Sequence, residues 1–199
     1  MSSKLSASDI EYIQDVLDDP RNLLGEDDED IIWAVLKENH ELIQYVDNPT
    51  EKMQLYAVSK DGNCIRDLEN PSMEVKVAAI KNNGYALNWI VDPEEELKHL
   101  AVRMNIDVFK TIENPSKELQ ILAVSKQASQ LAYIKDPDED VIIKAIKKNG
   151  LSLKYLENQT EEIIKIAINN NPFSVIYSND QSDKIKEYAI NKNPEAVQL

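Results

Sequence analysis

Few side chains in this 199-residue chain are of the kinds that carry out chemistry. Histidine occurs twice, as His40 and His99, and cysteine once, as Cys64. Protein metal sites draw on closely spaced His and Cys pairs; the chain has no HxxxH, no HExxH and no second cysteine. Nothing in the order of its residues supports a Ser/Cys–His–Asp triad. A phosphate-cradling loop needs glycines in a GxGxxG or GxxxxGK[ST] pattern. Neither pattern is present, and the four glycines, Gly25, Gly62, Gly84 and Gly150, are scattered. The sequence therefore reads as that of a protein that is not an enzyme, with no catalytic residues, no metal and no cofactor.

Three features are suited to binding rather than reaction. The first is the acidic run Glu26, Asp27, Asp28, Glu29 and Asp30. It lacks the alternating ligand spacing of an EF-hand loop. It reads either as acids capping a helix that begins near Ile31 or as a docking patch for a basic surface. The second is a row of aromatics, Tyr45, Trp89, Tyr133, Tyr155 and Tyr177, interrupted by Asp67 and Thr111. If buried it packs neighbouring elements; if exposed it is a row of amphipathic anchors of the kind that interfaces favour. The third is a basic ladder, Lys37, Lys60, Lys81, Arg103, Lys126, Lys147, Lys148 and Lys192. It would track an acidic ligand such as nucleic acid, or it would complement helix C-termini. A matching acidic ladder at the helix starts, Glu51, Glu74, Glu96, Glu118, Asp140 and Glu162, favours the second reading.

The elements that position these residues follow from one period. Alanine stands at Ala34, Ala57, Ala79, Ala101, Ala123, Ala145, Ala167 and Ala189, each followed by Val or Ile. The first gap is 23 residues and every later one is 22, which suggests a one-residue insertion in the first unit. A short fixed period means stacked units sharing one core. In the unit that starts at Asn70, Pro71 suits a first helical turn, with Asn70 expected as the cap. Val75, Ala78, Ala79 and Ile80 form an apolar stripe at helical spacing, and Asn83-Gly84 is expected to stop the helix in a left-handed conformation. A short helix or 3₁₀ turn then presents Leu87 and Ile90 inward. The same start recurs at Asn48, Asp92, Asn114 and Asp136, while Asn158 and Asp180 keep the polar residue without the proline. The fold expected is all-α: a solenoid of seven to eight helix–short-helix repeats over residues 30–199, forming one elongated domain. An amphipathic helix within residues 1–29 carries Ile10, Ile13, Val16 and Leu17 and serves as an N-terminal cap.

Net charge is −14, with residues 1–51 holding 14 acids against three bases. That polarity argues against a duplex-binding protein. The lone cysteine and the absence of a long apolar run predict a soluble, cytoplasmic protein without a membrane partner. The chain stops partway through a repeat. Val197 and Leu199 are thus expected at a bare C-terminal end through which copies of the chain could associate.

The segment Asn70–Gly84, NPSMEVKVAAIKNNG, resembles the tandem repeats of bacterial, bacteriophage and large-virus proteins built on N-P-S-x-E-V-x-x-x-A-[VI]-K-x-[ND]-G. Asn114–Lys126 and Asp136–Gly150 follow the same theme. The unit also resembles the leucine-rich-repeat variant, which alternates α and 3₁₀ helices. The resemblance spans residues 30–199. It implies a helical solenoid and a bacterial or phage setting, and brings no catalytic residues with it. The function expected is protein binding, with a basic-surfaced protein as partner. A phage-encoded inhibitor of a host defence or nucleic-acid-handling protein is the specific form considered. The alternatives are a nucleic-acid binder using the basic ladder and a self-assembling structural protein.

Overall fold

A helix-capping residue recurs every 22 positions and sets the register of the fold. In the computed structural model, which describes residues 5–197 and the side chains of 5–196, these N-caps are Ser6, Asp28, Thr50, Ser72, Glu94, Ser116, Asp138, Thr160 and Ser182. They open α1 (Ala7–Asp18), α2 (Glu29–Glu38), α3 (Glu51–Lys60), α4 (Met73–Asn82), α5 (Glu95–Met104), α6 (Lys117–Lys126), α7 (Glu139–Lys148), α8 (Glu161–Asn170) and α9 (Asp183–Lys192). Thr50, Ser72, Ser116 and Thr160 each accept the backbone N–H of the third helical residue, which meets one of the donors a helix start leaves open. Each helix is followed by a 3₁₀ segment of four residues, after α1 and α9, or six, elsewhere.

The caps correct the expectation for the Asx-Pro pairs. Asn48, Asn70, Asp92, Asn114 and Asp136 stand two residues before the caps and have φ of 44–51°. They are left-handed turn residues, a conformation that Asn and Asp tolerate better than other side chains. Asn158 and Asp180, which have no proline after them, are not left-handed. The helix-stop residues differ as well. Asn83 has φ −140° and ψ 110°, an extended backbone, and its side chain accepts Tyr85 N–H to cap the following 3₁₀ segment, Gly84–Trp89. Asn39, Asp61, Asn149 and Asn171 do the same in their repeats. Asparagine ends one helix here by beginning the next.

The core repeats with the caps. Val75, Ala79 and Ile80 are fully buried in α4, as are Leu97, Ala101 and Val102 in α5, Leu119, Ala123 and Val124 in α6, and Val141, Ala145 and Ile146 in α7. In α2 the fully buried pair is Val35 and Leu36, whereas Ala34 is half-buried. Val35 therefore fills the alanine slot. The 22-residue register is unbroken there, and the apparent insertion is a one-residue misalignment caused by a neighbouring alanine. The register also reaches α1, whose cap Ser6 stands 22 residues before Asp28. Ile13 and Val16 of α1 are buried, Leu17 is half-buried and Ile10 is exposed. Ile65, Leu87, Phe109, Leu131, Leu153 and Val175 form the inward row of the 3₁₀ segments.

The chain divides into two compact units, Met1–Val108 and Phe109–Leu199. In the first, α1, α2, α3 and α4 each pack on the helix that follows; in the second, α6, α7 and α8 do. Within each unit the result is a regular α-plus-3₁₀ stack, solenoid-like in arrangement. The expected C-terminal association surface falls outside the described residues at Leu199, and at Val197 only the backbone is described.

Candidate interaction surfaces

Capping occupies the backbone-facing groups of the acidic run. Glu26 Oε1 accepts the N–H groups of Asp27 and Asp28 at 3.0 and 2.8 Å, and Asp28 Oδ1 accepts those of Asp30 and Ile31. Glu29 and Asp30 fill the first turn of α2, where the helix dipole favours negative charge. Asp27, Asp28, Glu29 and Asp30 are nevertheless exposed, and Glu26 is half-buried. Glu26, Asp27 and Glu29 line a cleft of about 310 Å³ beside Asp47 and Met53. The unit that contains them has 23 acidic and 10 basic residues, net −13, against 13 and 12, net −1, in the other.

The aromatic row ends the six-residue 3₁₀ segments His40–Tyr45, Gly84–Trp89, Ala128–Tyr133, Gly150–Tyr155 and Pro172–Tyr177. Tyr45 and Tyr155 are half-buried, while Trp89, Tyr133 and Tyr177 are 48%, 58% and 37% exposed. Cations stack on part of the row. Arg66 lies 5.5 Å from the Trp89 ring centre, and Lys154 bridges Tyr155 and Tyr177 at 5.0 and 5.8 Å. In the second unit three consecutive repeats thus present Tyr133, Tyr155 and Tyr177 in one register.

Beside Tyr155 opens a groove of about 630 Å³, lined by residues that include Leu131, Ile134, Pro137, Ile142 and Glu157. No single residue type marks it in the sequence. Its sequence correlate is isoleucine at 142, where glutamine stands at 54 and 120, beside proline at 137, the residue also found at 49, 71, 93 and 115, where glutamine stands at 159 and 181. A second feature absent from the sequence reading is a polar column in the core, Gln130, Ser152 and Ser174, in the register where Cys64, Ala86 and Val108 stand. Gln130 Oε1 and Ser174 Oγ are buried without a hydrogen-bond partner.

The basic ladder lies at the C-terminal turns of the α-helices, with Lys37, Lys60, Lys81, Arg103, Lys126, Lys147, Lys148 and Lys192 all exposed. Lys60 and Lys192 stack over Tyr56 and Tyr188 of their own helices, at 5.3 and 5.6 Å. Burial, helped by Asp61, pushes the Cys64 thiol up to about 11, so it is a core side chain rather than a nucleophile. His99 lies 3.5 Å from Glu95 within α5. Among the described residues no three His, Cys, Asp or Glu side chains are grouped to hold a metal ion, and no helix is long and apolar enough to cross a membrane.

The arrangement defines a tandem α/3₁₀ repeat protein whose candidate sites are surfaces. Residues 138–181 match the family model of a domain of unknown function, DUF4116. The match runs from the cap Asp138 to the residue before the cap Ser182, so it takes in two whole repeats, α7 and α8 with their 3₁₀ segments. No curated protein and no solved structure matches the chain.

Proposed function

We propose that this chain is a non-enzymatic interaction module that docks another protein on the 3₁₀ edge of its second unit. The observation that carries the reading is the tyrosine row of consecutive repeats, with Tyr133 and Tyr177 well exposed and Tyr155 held under Lys154. Tyrosine offers apolar area and a polar tip at low conformational cost, which suits an interface anchor. The repeat spends its alanine, cap and inward positions on stacking, and the 3₁₀ ends are what remains for a partner. The exposed acids at Asp27–Asp30 would add long-range attraction for a basic-surfaced partner and raise its rate of encounter.

The test is capture of proteins from bacterial lysate on the tagged full chain. It is run beside a Tyr133→Ala/Tyr177→Ala variant and a variant with lysine at residues 26–30, each checked for its helical circular dichroism. The expected result is a stoichiometric protein lost with the tyrosines and bound more slowly by the lysine variant. Capture that is unchanged in both variants, or recovery of nucleic acid alone, overturns the reading.

A further inference from the structure

One repeat after the groove beside Tyr155, the chain fills the corresponding space itself. Gln159 stands 22 residues after Pro137. Its Nε2 donates to the carbonyls of Leu153, Leu156 and Tyr177 at 3.1, 3.1 and 2.9 Å, and its Oε1 accepts Asn179 N–H at 3.0 Å. Moved back one repeat, those four groups are the carbonyls of Leu131, Ile134 and Tyr155 and the N–H of Glu157. All four residues line the groove. Pro137 has no side-chain amide to meet them. One local hydrogen bond is common to the two turns, Ile134 N–H to Leu131 O and Leu156 N–H to Leu153 O, the second carbonyl also accepting from Gln159, while the turns differ in that Asp136 is left-handed and Asn158 is not.

A second register gives the same indication. Gln54 and Gln120 donate from Nε2 to the carbonyls of Pro49 and Pro115, both at 2.9 Å. The residue of that register in the groove is Ile142, which has no donor for Pro137. At this groove, as at Pro71 with Lys76 and at Pro93 with Lys98, the chain has neither of the glutamine carboxamides that it uses elsewhere, and here an open volume lies beside the turn with an apolar Ile142 in the second register.

We propose that this groove binds a primary carboxamide, the side chain of a glutamine in a partner polypeptide. A carboxamide carries two N–H donors and one carbonyl acceptor on a single planar head; the two donors are shared among three carbonyls, as those of Gln159 are, and the oxygen takes the one N–H. A carboxylate would face three carbonyl oxygens with no donor, and an ammonium would leave the Glu157 N–H unmet. The apolar walls Leu131, Ile134 and Ile142 cover the methylenes. The inference rests on reading the 3₁₀ edge of this unit as a docking face, and it names the chemistry of what docks there.

The test uses the ¹⁵N-labelled full chain, titrated with acetyl-Gly-Gln-Gly-N-methylamide and with the same peptide carrying Glu or Lys in place of Gln. Saturable shifts are expected for the amides of residues 131–136 and 155–158. The Gln peptide should bind at least about ten-fold more tightly than either control, as expected when a site leaves a polar group unmet. Pro137→Gln introduces the residue the chain already uses at 159 and should abolish the shifts. Ile142→Gln, which supplies the donor for Pro137, should weaken them. No shifts at millimolar peptide, an equal response to the three peptides, or a response that survives Pro137→Gln overturns the proposal. A captured protein that is lost with Tyr133→Ala/Tyr177→Ala but retained by Pro137→Gln would keep the docking face and remove the carboxamide site.

Discussion

A left-handed residue before proline is the smallest device on which each Asx-Pro repeat depends. At Asn114, φ is 47°, and Pro115 follows it into the turn that delivers Ser116 as the cap of α6. Any side chain with a Cβ pays a steric cost there, and Asn pays least because its short amide can bond locally. Asn114→Ala is therefore expected to destabilise the protein by about 1 kcal/mol, whereas Asn114→Gly should stay within about 0.5 kcal/mol of the parent. Urea unfolding measures both; equal loss in the two variants would show that the side chain, and not the backbone conformation, matters at this site. Glu161 is a residue-scale case of a different kind. Hydrogen bonds from Lys165 and then Lys184, both at 2.6 Å, pull its pKa down to about 2 from the usual 4.5. Because the folded value is depressed, the stabilisation is complete above pH 4.5 and fades as pH falls towards 2. Glu161→Gln should lower the thermal midpoint at pH 7, with the gap closing between pH 4.5 and 2. A gap that persists at pH 2 would place the effect in packing instead.

At the scale of the element, what joins one repeat to the next is a glycine and an asparagine acting together. Gly150 N–H donates to Asn170 Oδ1 at 2.6 Å while Asn170 Nδ2 donates to Lys147 O at 2.9 Å, so one side chain of α8 closes the end of α7 and the start of its 3₁₀ segment. Gly62 and Asn82 repeat the arrangement with Ser59 O. A Cβ at Gly150 or Gly62 would lie 2.4 Å from the carbonyl oxygen of Ala167 or Ala79, which is why both positions are glycine. Gly150→Ala should cost about 2–3 kcal/mol by overpacking, and Asn170→Ala about 1–2 kcal/mol by orphaning the Gly150 N–H. Gly84→Ala should cost less, since its Cβ would stand 3.2 Å from Ala101 O. Equal losses at 84 and 150 in chemical unfolding would refute the close-approach argument. The period, the helix-plus-short-helix unit and the buried Ala-aliphatic pairs were legible in the sequence because burial acts on residue type every 22 positions. The caps were not, because Asn70 and Ser72 are both good capping residues and only backbone conformation distinguishes them. Val35 was hidden by its neighbour Ala34, since the spacing of alanines is a proxy for the spacing of buried positions. The exposure of the aromatics and the groove at Pro137 depend on how repeats fit together, which no single unit of sequence states.

For the whole molecule, the same repeat is used in two electrostatic settings. The first unit carries net −13; among the described residues Arg21–Asp19, Arg66–Asp67 and Lys98–Glu95 are local pairs within three residues, and Lys76–Glu94 crosses from one repeat to the next. The second carries net −1 and ties repeats together across the stack, Lys117 to Asp138 and Asp140, and Lys184 to Glu161. Salt at about 0.5 M shortens the screening length to a few ångströms. In the first unit it mainly removes repulsion among excess carboxylates, which opposes the compact state. In the second it mainly weakens attractive pairs between exposed side chains, each worth little and screened readily. Backbone hydrogen exchange of the intact chain, followed from about 0.05 to 0.5 M NaCl, should therefore respond differently in the two units. Protection is expected to rise in α2 to α4 and to stay level or fall in α7 and α8. A rise of equal size in both units would mean that salt acts through apolar burial common to all the repeats, and the division of charge between the units would then have no part in stability.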